Sequence, residues 1–247
     1  MDKKHDRSYF LAQYERSCYF LNGMNSPHEE LETLASARPV AADEADGRRR
    51  RGNRTRESIL QAAADLASVE GLEGLTIGRL ATELGMSKSG LFAHFGSKEE
   101  LQLATIDAAR RRFVEHVVKP SRHLPRGRER VEALLRDWLA YYRDRVFPGG
   151  CFFHTVKAEF DSRPTGAVRQ VVIDDAREFL AFLTRELRKA QEAGNLDKSV
   201  EPEQIAFELD ALGAAAHQQF QLLHDPAVFD RAERAMAARL DALATNG

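Results

Sequence analysis

The sequence predicts an all-α protein, on three observations. From Thr55 onward apolar residues recur at helical spacings of three and four, no segment alternates polar and apolar residues as a half-buried strand would, and the periodic runs are punctuated by Gly, Pro and Ser/Thr at positions where helices stop and start. The order of the runs divides the chain into a three-helix head and a larger helical body.

The first run places Ile59, Ala63, Leu66 and Ala67 on one face and is stopped by Gly71. Thr76 is a candidate N-cap for a second helix with Ile77, Leu80, Ala81 and Leu84 inward, ended by Gly85. Ser87 caps a short third helix that turns Leu91 and Phe95 inward. Gly96-Ser97 breaks the chain again, and Ser97 followed by Glu100 has the spacing of a capping box, opening a longer helix to about Val118, before Pro120. Further helices are expected at about Arg126–Val146, Phe152–Phe160, Thr165–Ala193 closed by Gly194-Asn195, Pro202–His224 and Pro226–Ala244. Residues 1–47 lack a sustained period and carry an acidic, small-residue run from Pro39 to Gly47, so they are expected to be a disordered extension. Met24 is an alternative start to Met1, and the sequence does not choose between them. The domains read as 48–100 for the head and 101–247 for the body.

The chain has 247 residues, 43% hydrophobic and 30% charged, an ordinary composition for a globular protein. It contains no run of about 18 uncharged apolar residues, and the N-terminal apolar clusters are broken by Gln13, Glu15 and Arg16, so neither a membrane span nor a signal peptide is expected and the cytoplasm is the expected compartment. Cys18 and Cys151 fall in segments of different character, which argues against a disulfide and a thiolate metal site. The net charge of -2 is unevenly spread: Arg48–Lys119 holds thirteen Lys and Arg against nine Asp and Glu, a basic segment before an acidic remainder. That asymmetry is expected when one domain meets phosphates and the other does not.

The most informative stretch is Ile77-Gly78-Arg79-Leu80-Ala81-Thr82-Glu83-Leu84-Gly85-Met86-Ser87-Lys88-Ser89-Gly90-Leu91-Phe92-Ala93-His94-Phe95. Two helices crossing steeply through a tight turn need a small residue at their closest approach, a glycine able to take positive φ in the turn and an apolar residue facing back from the second helix. Ala81, Gly85 and Leu91 occupy those places. Two ordinary amphipathic helices with a glycine stop would read the same way, so the turn alone leaves both readings open.

Thr76-Ile77-x-x-Leu80-Ala81, Gly85-Met86-Ser87-Lys88-Ser89-Gly90-Leu91-Phe92-x-His94-Phe95 and Gly96-Ser97-Lys98-Glu99-Glu100-Leu101 together resemble the DNA-binding domain of TetR-family regulators, nearly without gaps over Arg54–Ala104. The resemblance implies a helix-turn-helix transcriptional regulator, a repressor by the family's habit, that binds a palindromic double-stranded DNA operator as a homodimer and is released by a small-molecule effector. It implies no enzyme activity, cofactor or metal. Carried over by position, Thr76 and Ser87 present helix N-termini to phosphates, while Lys88, Ser89 and Gly90 lead the recognition helix toward base edges. Lys98 and His94 would add phosphate contacts. Phe92 departs from the family's usual Tyr and loses its hydroxyl, leaving a packing role or a contact with a thymine methyl. The Arg48–Arg51 run reads either as an electrostatic arm, able to enter the minor groove, or as a solvated charge run.

In the body, Ile205, Leu209, Leu212, Ala216, Phe220 and Leu223 form one apolar stripe, and Gly213 to Ala216 allow close helix approach. The resemblance implies that the last two helices build a four-helix dimer interface, assigned here to Leu209, Leu212, Ala216 and Phe220, with intrachain core as the competing reading. The large rings of the middle segment read either as core or as the wall of a ligand cavity. The resemblance favours an effector site, for which Trp138, Tyr142, Phe153 and His217 are the candidates; no particular effector follows. Cys151, His154 and Glu159 could be cast as a nucleophilic triad, but no oxyanion loop accompanies them. His154, His217 and His224 are weak as metal ligands, since isolated helical histidines are more often core or rim residues.

Overall fold

The computed structural model describes the backbone of residues 43–245 and, within it, the side chains of Arg50 and of 52–245. Among the described residues there is no sheet; the regular elements are nine α-helices, in order α1 (Asp43–Gly74), α2 (Ile77–Leu84), α3 (Lys88–Phe92), α4 (Lys98–Phe113), α5 (Arg128–Arg143), α6 (Phe152–Phe160), α7 (Ala167–Glu192), α8 (Pro202–Leu223) and α9 (Ala227–Asp241). The all-α expectation and the head-and-body order hold. Among the described residues no helix is long and apolar enough to cross a membrane. Residues 1–42, and with them Cys18 and Met24, lie outside the described residues.

The first helix begins earlier than its apolar period suggests. Residues 43–54 are already helical, so the backbone of the Arg48–Arg51 run sits on α1 and is not an extended arm, and the expected extension loses residues 43–47. Five of these twelve residues are arginines, good helix formers, and the run carries no apolar period to advertise a helix. At its other end α1 is broken where expected: Gly71 has φ 77 and ψ 169, outside helical values.

In α2 and α3, local chemistry dictates the turn. The Thr76 side chain accepts the Arg79 N–H to open α2. Gly85 takes the left-handed conformation at φ 61, its N–H bonding Thr82 O at 3.3 Å while the Met86 N–H bonds Ala81 O at 2.9 Å. That pair of bonds is a Schellman closure, which needs a residue free to adopt positive φ. Ser87 then accepts the Gly90 N–H at 3.1 Å to open α3 two residues later. Leu80, Leu91 and Phe95 are fully buried beneath the turn, and the Arg56 guanidinium of α1 stacks 4.8 Å from the Phe95 ring centroid.

Ser97 caps α4 through the Glu100 N–H at 3.0 Å, but the reciprocal bond from the Glu100 carboxylate goes to the N–H of Gly96 rather than to the cap residue itself. The α-helix ends at Phe113 and passes through a π-helical turn, Val114–Val118, into a 3-10 turn, Pro120–His123. The ring of Pro120 has no N–H to continue the ladder.

In the body α7 packs on α8, α8 on α9, and α5 against α7, α8 and α9, while α6 bridges α1 and α7. The indole of Trp138 on α5 is seated against Gly213, where a Cβ would lie 2.6 Å from its Cη2. The close approach expected of Gly213 therefore serves a contact within the chain.

The head is pinned to the body on both sides of the Gly71 break. Gly149 N donates to Ser68 Oγ at 3.0 Å, Thr155 Oγ1 donates to Ser68 O at 3.0 Å, and the Glu159 carboxylate accepts the N–H groups of Leu72 at 2.7 Å and Glu73 at 2.8 Å. Buried Gln102 of α4 donates to Leu72 O at 2.7 Å.

Candidate nucleic-acid interface and internal cavity

With Leu91 and Phe95 committed to the core, the opposite face of α3 is polar and open. Ser87, Lys88 and Ser89 are exposed, Gly90 is half-buried, and the Phe92 ring is 53% exposed. About half of that ring is open to solvent, which leaves it free for a contact with DNA. The Lys88 chain lies back across Gly78, its Cε 3.4 Å from where a Cβ would stand. Thr76 is exposed at the start of α2, and His94 is half-buried with its ring 6.4 Å from that of Phe95. Lys98, exposed at the start of α4, has its Nζ bound to Glu73 O at 2.9 Å and to the Glu73 carboxylate at 3.0 Å, an attachment that pulls the Glu73 carboxyl below its usual range. Any phosphate contact by Lys98 would compete with that pair.

A cleft of about 680 Å³, partly open to solvent, lies in the body between α4, α5, α6, α7 and α8. Its walls are mainly rings. Phe113 meets Phe153 at 5.8 Å and Phe179 at 5.6 Å, and Trp138 meets Phe179 at 5.0 Å, each near edge-to-face. Four charged groups interrupt the apolar lining. Arg110 of α4, 3% exposed, bonds Asp175 Oδ1 of α7 through Nε at 2.7 Å and through Nη2, while Lys157 of α6 and Asp210 of α8 also face the cleft. Burial pushes the Asp175 carboxyl up to about 6 against the opposing pull of Arg110, and pushes Asp210 up against the pull of Lys157.

Of the four candidate effector residues, Trp138, Tyr142 and Phe153 line the cleft. His217 does not; it stands behind, 5.0 Å from the Tyr142 ring and stacked on His154 at 4.6 Å. The Tyr142 hydroxyl lies 3.0 Å from His154 Nε2. Burial, with Lys157 adding to it, lowers His154 to about 3 and His217 to about 4, so both rings are neutral at neutral pH.

The triad reading dissolves on geometry. Cys151 is buried with its thiol pushed up by desolvation, His154 is engaged by Tyr142, and Glu159 is spent on the backbone of α1. As for the histidines, His154 and His217 stack ring on ring, and His224 is exposed at the end of α8.

The four residues expected to pair two chains, Leu209, Leu212, Ala216 and Phe220, lie on the face of α8 turned to the chain's own core. Leu209 and Ala216, at 0% and 4% exposure, are core of the same chain, and Leu212 and Phe220 are half-buried against it, with Phe220 4.8 Å from Phe229 of α9. Leu209 and Ala216 thus have no free surface, while Leu212 and Phe220 keep part of theirs. The exposed stripe of α8 is instead Phe207, Ala211, Ala215 and Leu222, on the opposite face, with Phe207 66% exposed.

Comparison with known proteins matches residues 59–105 to the family model described as bacterial regulatory proteins, tetR family, and residues 127–236 to the tetracyclin repressor-like C-terminal domain. The chain belongs to the TetR family. An uncharacterised HTH-type transcriptional regulator of Mycobacterium tuberculosis is 33% identical over 101 residues, 41% of this chain and 44% of that protein, so the match spans less than half of the relative's length. The crystal structure of a TetR transcriptional regulator from Chloroflexus aurantiacus superposes with a TM-score of 0.73 at 23% identity, covering 79% of this chain and 98% of that one. AibR, crystallised in complex with isovaleryl coenzyme A and operator DNA, superposes with a TM-score of 0.58 at 22% identity over 74% of this chain and 96% of its own. At these identities the structural likenesses establish a shared fold.

Sequence reasoning missed two features of this TetR-family chain. Arg110 sits in the run Arg110-Arg111-Arg112, which reads as a solvated face, and only the packing of α7 shows that the first of the three is buried. Glu159 enters the sequence reading only as a possible triad member, and its partners lie more than eighty residues away.

Proposed function

We propose that this chain is a sequence-specific DNA-binding transcriptional regulator, a repressor in the simplest case, that acts as a homodimer on a pseudo-palindromic operator and is released by a small molecule bound in the body. The observation that carries the DNA half is the outward face of α3: Ser87, Lys88, Ser89 and Phe92 are exposed on a helix whose back is locked by Leu91 and Phe95. Lys88 can donate to guanine O6 and N7, Gly90 allows close approach of the backbone, and the Phe92 ring suits a thymine methyl. Thr76, Ser87, His94 and Lys98 fix the register on phosphates.

A helix as short as α3 spans only a few base pairs, so two copies must be held together to reach useful specificity, with their α3 helices about 34–36 Å apart. The exposed stripe Phe207, Ala211, Ala215 and Leu222, with α9 beside it, supports pairing through a four-helix interface: small residues in its middle allow close approach and large apolar groups flank them.

The cleft supports the sensing half. Its walls are aromatic with a few convergent polar groups, the make-up of small-molecule sites. Two of its walls reach the head directly. Helix α4 continues from the head into the body, and α6 holds the end of α1 through Glu159. A ligand that favours one placement of α4 and α6 over another would change the spacing of the two α3 helices, and with it DNA affinity. The fold relative AibR holds both a ligand and operator DNA in one crystal, which supports the same division of labour here.

Selection from a random duplex library tests the proposal. The protein should enrich an inverted repeat, and Lys88→Ala should shift or blur the enriched half-site; recovery of no preferred sequence would count against it.

A further inference from the structure

We propose that the cleft is shaped for an aromatic ligand carrying a protonated amine, with its ring system among Phe113, Trp138, Phe153 and Phe179 and its ammonium against the carboxylate of Asp175. The inference rests on the reading of the cleft as an effector site and adds the chemical class of the effector.

Asp175 supplies the first argument. Its side chain is 10% exposed, its Oδ1 takes both bonds from Arg110, and its Oδ2 is buried among the described residues with no hydrogen-bond partner. A buried carboxylate oxygen left without a donor is costly, and the group has room for several donors where Arg110 fills only one side. Because Asp175 lines the cleft, a ligand N–H can complete the set.

The balance of the remaining charges points the same way. Arg110 gives Nε and Nη2 to Asp175 and holds Nη1 3.8 Å from the Asp107 carboxylate, beyond hydrogen-bond reach, so two carboxylates already face its single charge. Lys157 and Asp210 face the same cleft from α6 and α8, and the Lys157 charge opposes the burial that raises the Asp210 carboxyl. An anionic ligand would place a third negative charge beside Asp175 and Asp210. A cation placed among these rings can in addition draw on the attraction of a ring face, strongest for tryptophan. An uncharged aromatic ligand would fill the walls but leave Asp175 Oδ2 unmet.

Three probes sharing one ring system separate these cases: biphenyl-4-ylmethylammonium, biphenyl-4-ylmethanol and biphenyl-4-carboxylate, each titrated calorimetrically into the full chain. A charge-assisted hydrogen bond in a partly desolvated site corresponds to roughly tenfold or more in affinity. The ammonium should therefore bind about tenfold tighter than the alcohol, with the carboxylate weakest. Asp175→Asn, which keeps an oxygen for Arg110, should remove most of the ammonium's advantage while leaving alcohol affinity within a few-fold. Should Asp175→Asn melt markedly lower than the parent, Asp210→Asn provides the second arm, with a smaller but selective loss for the ammonium. Equal affinity for ammonium and alcohol, or a preference for the carboxylate, would overturn the charge assignment and leave the effector-site reading standing. Failure of all three to bind would overturn both.

Discussion

The carboxylate of Glu159 closes over Gly71. A Cβ at that glycine would lie 2.7 Å from Glu159 Oε2, and the same carboxylate accepts the next two backbone N–H groups, of Leu72 and Glu73. The break in α1 and the helix that lines the cleft are thus one joint. Glu159→Ala leaves two N–H groups without their acceptor, one of them part-buried, and should lower unfolding free energy by about 1–3 kcal/mol. Gly71→Ala adds a methyl and a φ of 77, and should cost at least as much. Urea unfolding of both variants checks this; parent-like midpoints would show that the joint does not hold the head.

Acid stability should carry two opposed contributions. His154 and His217 are lowered in the folded state to about 3 and about 4, so the unfolded chain takes up protons first and their contribution is lost as pH falls below about 6.5. Asp175 is raised to about 6, so between about 6 and its ordinary value near 3.8 the folded chain holds the extra proton and gains relative stability on acidification. Two histidines outweigh one aspartate, and the parent should lose stability from pH 7 to pH 5. Asp175→Asn should steepen that loss and His217→Asn should flatten it, as read from urea midpoints at pH 7, 6 and 5. A parent more stable at pH 5 than at pH 7 would reverse the assignment.

Pairing should depend on the exposed face of α8. Phe207→Asp combined with Ala211→Arg should give monomers by equilibrium sedimentation while leaving the thermal melt of the protomer little changed, because both positions are exposed. Ala216→Arg should instead unfold the protomer, since Ala216 is 4% exposed and packed in the core. Unchanged dimers in the double variant would place the interface elsewhere.

Lys88→Ala and Phe92→Ala remove exposed groups and should leave stability within about 0.5 kcal/mol. Each should weaken binding to the selected operator by about 1–3 kcal/mol, with less effect on unrelated duplexes. Fluorescence anisotropy at fixed salt checks the difference, and an equal loss on both kinds of DNA would make them backbone contacts.

The head was legible because its devices are local. Thr76, Gly85, Ser87 and Ser97 act within five residues of themselves, so their spacing announces caps and turns directly. Helix identity in the body was legible from its period, but the period cannot say which apolar stripe faces inward. On α8 both faces carry apolar groups, Leu209 and Ala216 on one and Phe207, Ala211 and Leu222 on the other, and only the packing of α5 and α9 decides between them. The polar groups of the cleft were illegible for a related reason. Arg110 and Asp175 are sixty-five positions apart, and each looks like an ordinary surface charge until the two are buried together. Residues 43–54 were missed because their sequence carries no apolar period to read.

The most direct measurement is the ratio of affinities for the selected inverted repeat and for a scrambled duplex of equal length, taken by anisotropy at near-physiological salt with the stoichiometry read from the same titration. A sequence-specific regulator should favour the repeat by about a thousandfold or more, with two chains per duplex. A ratio near one, or binding that vanishes equally on both duplexes as salt rises, would contradict the assignment of α3 as a reader of sequence.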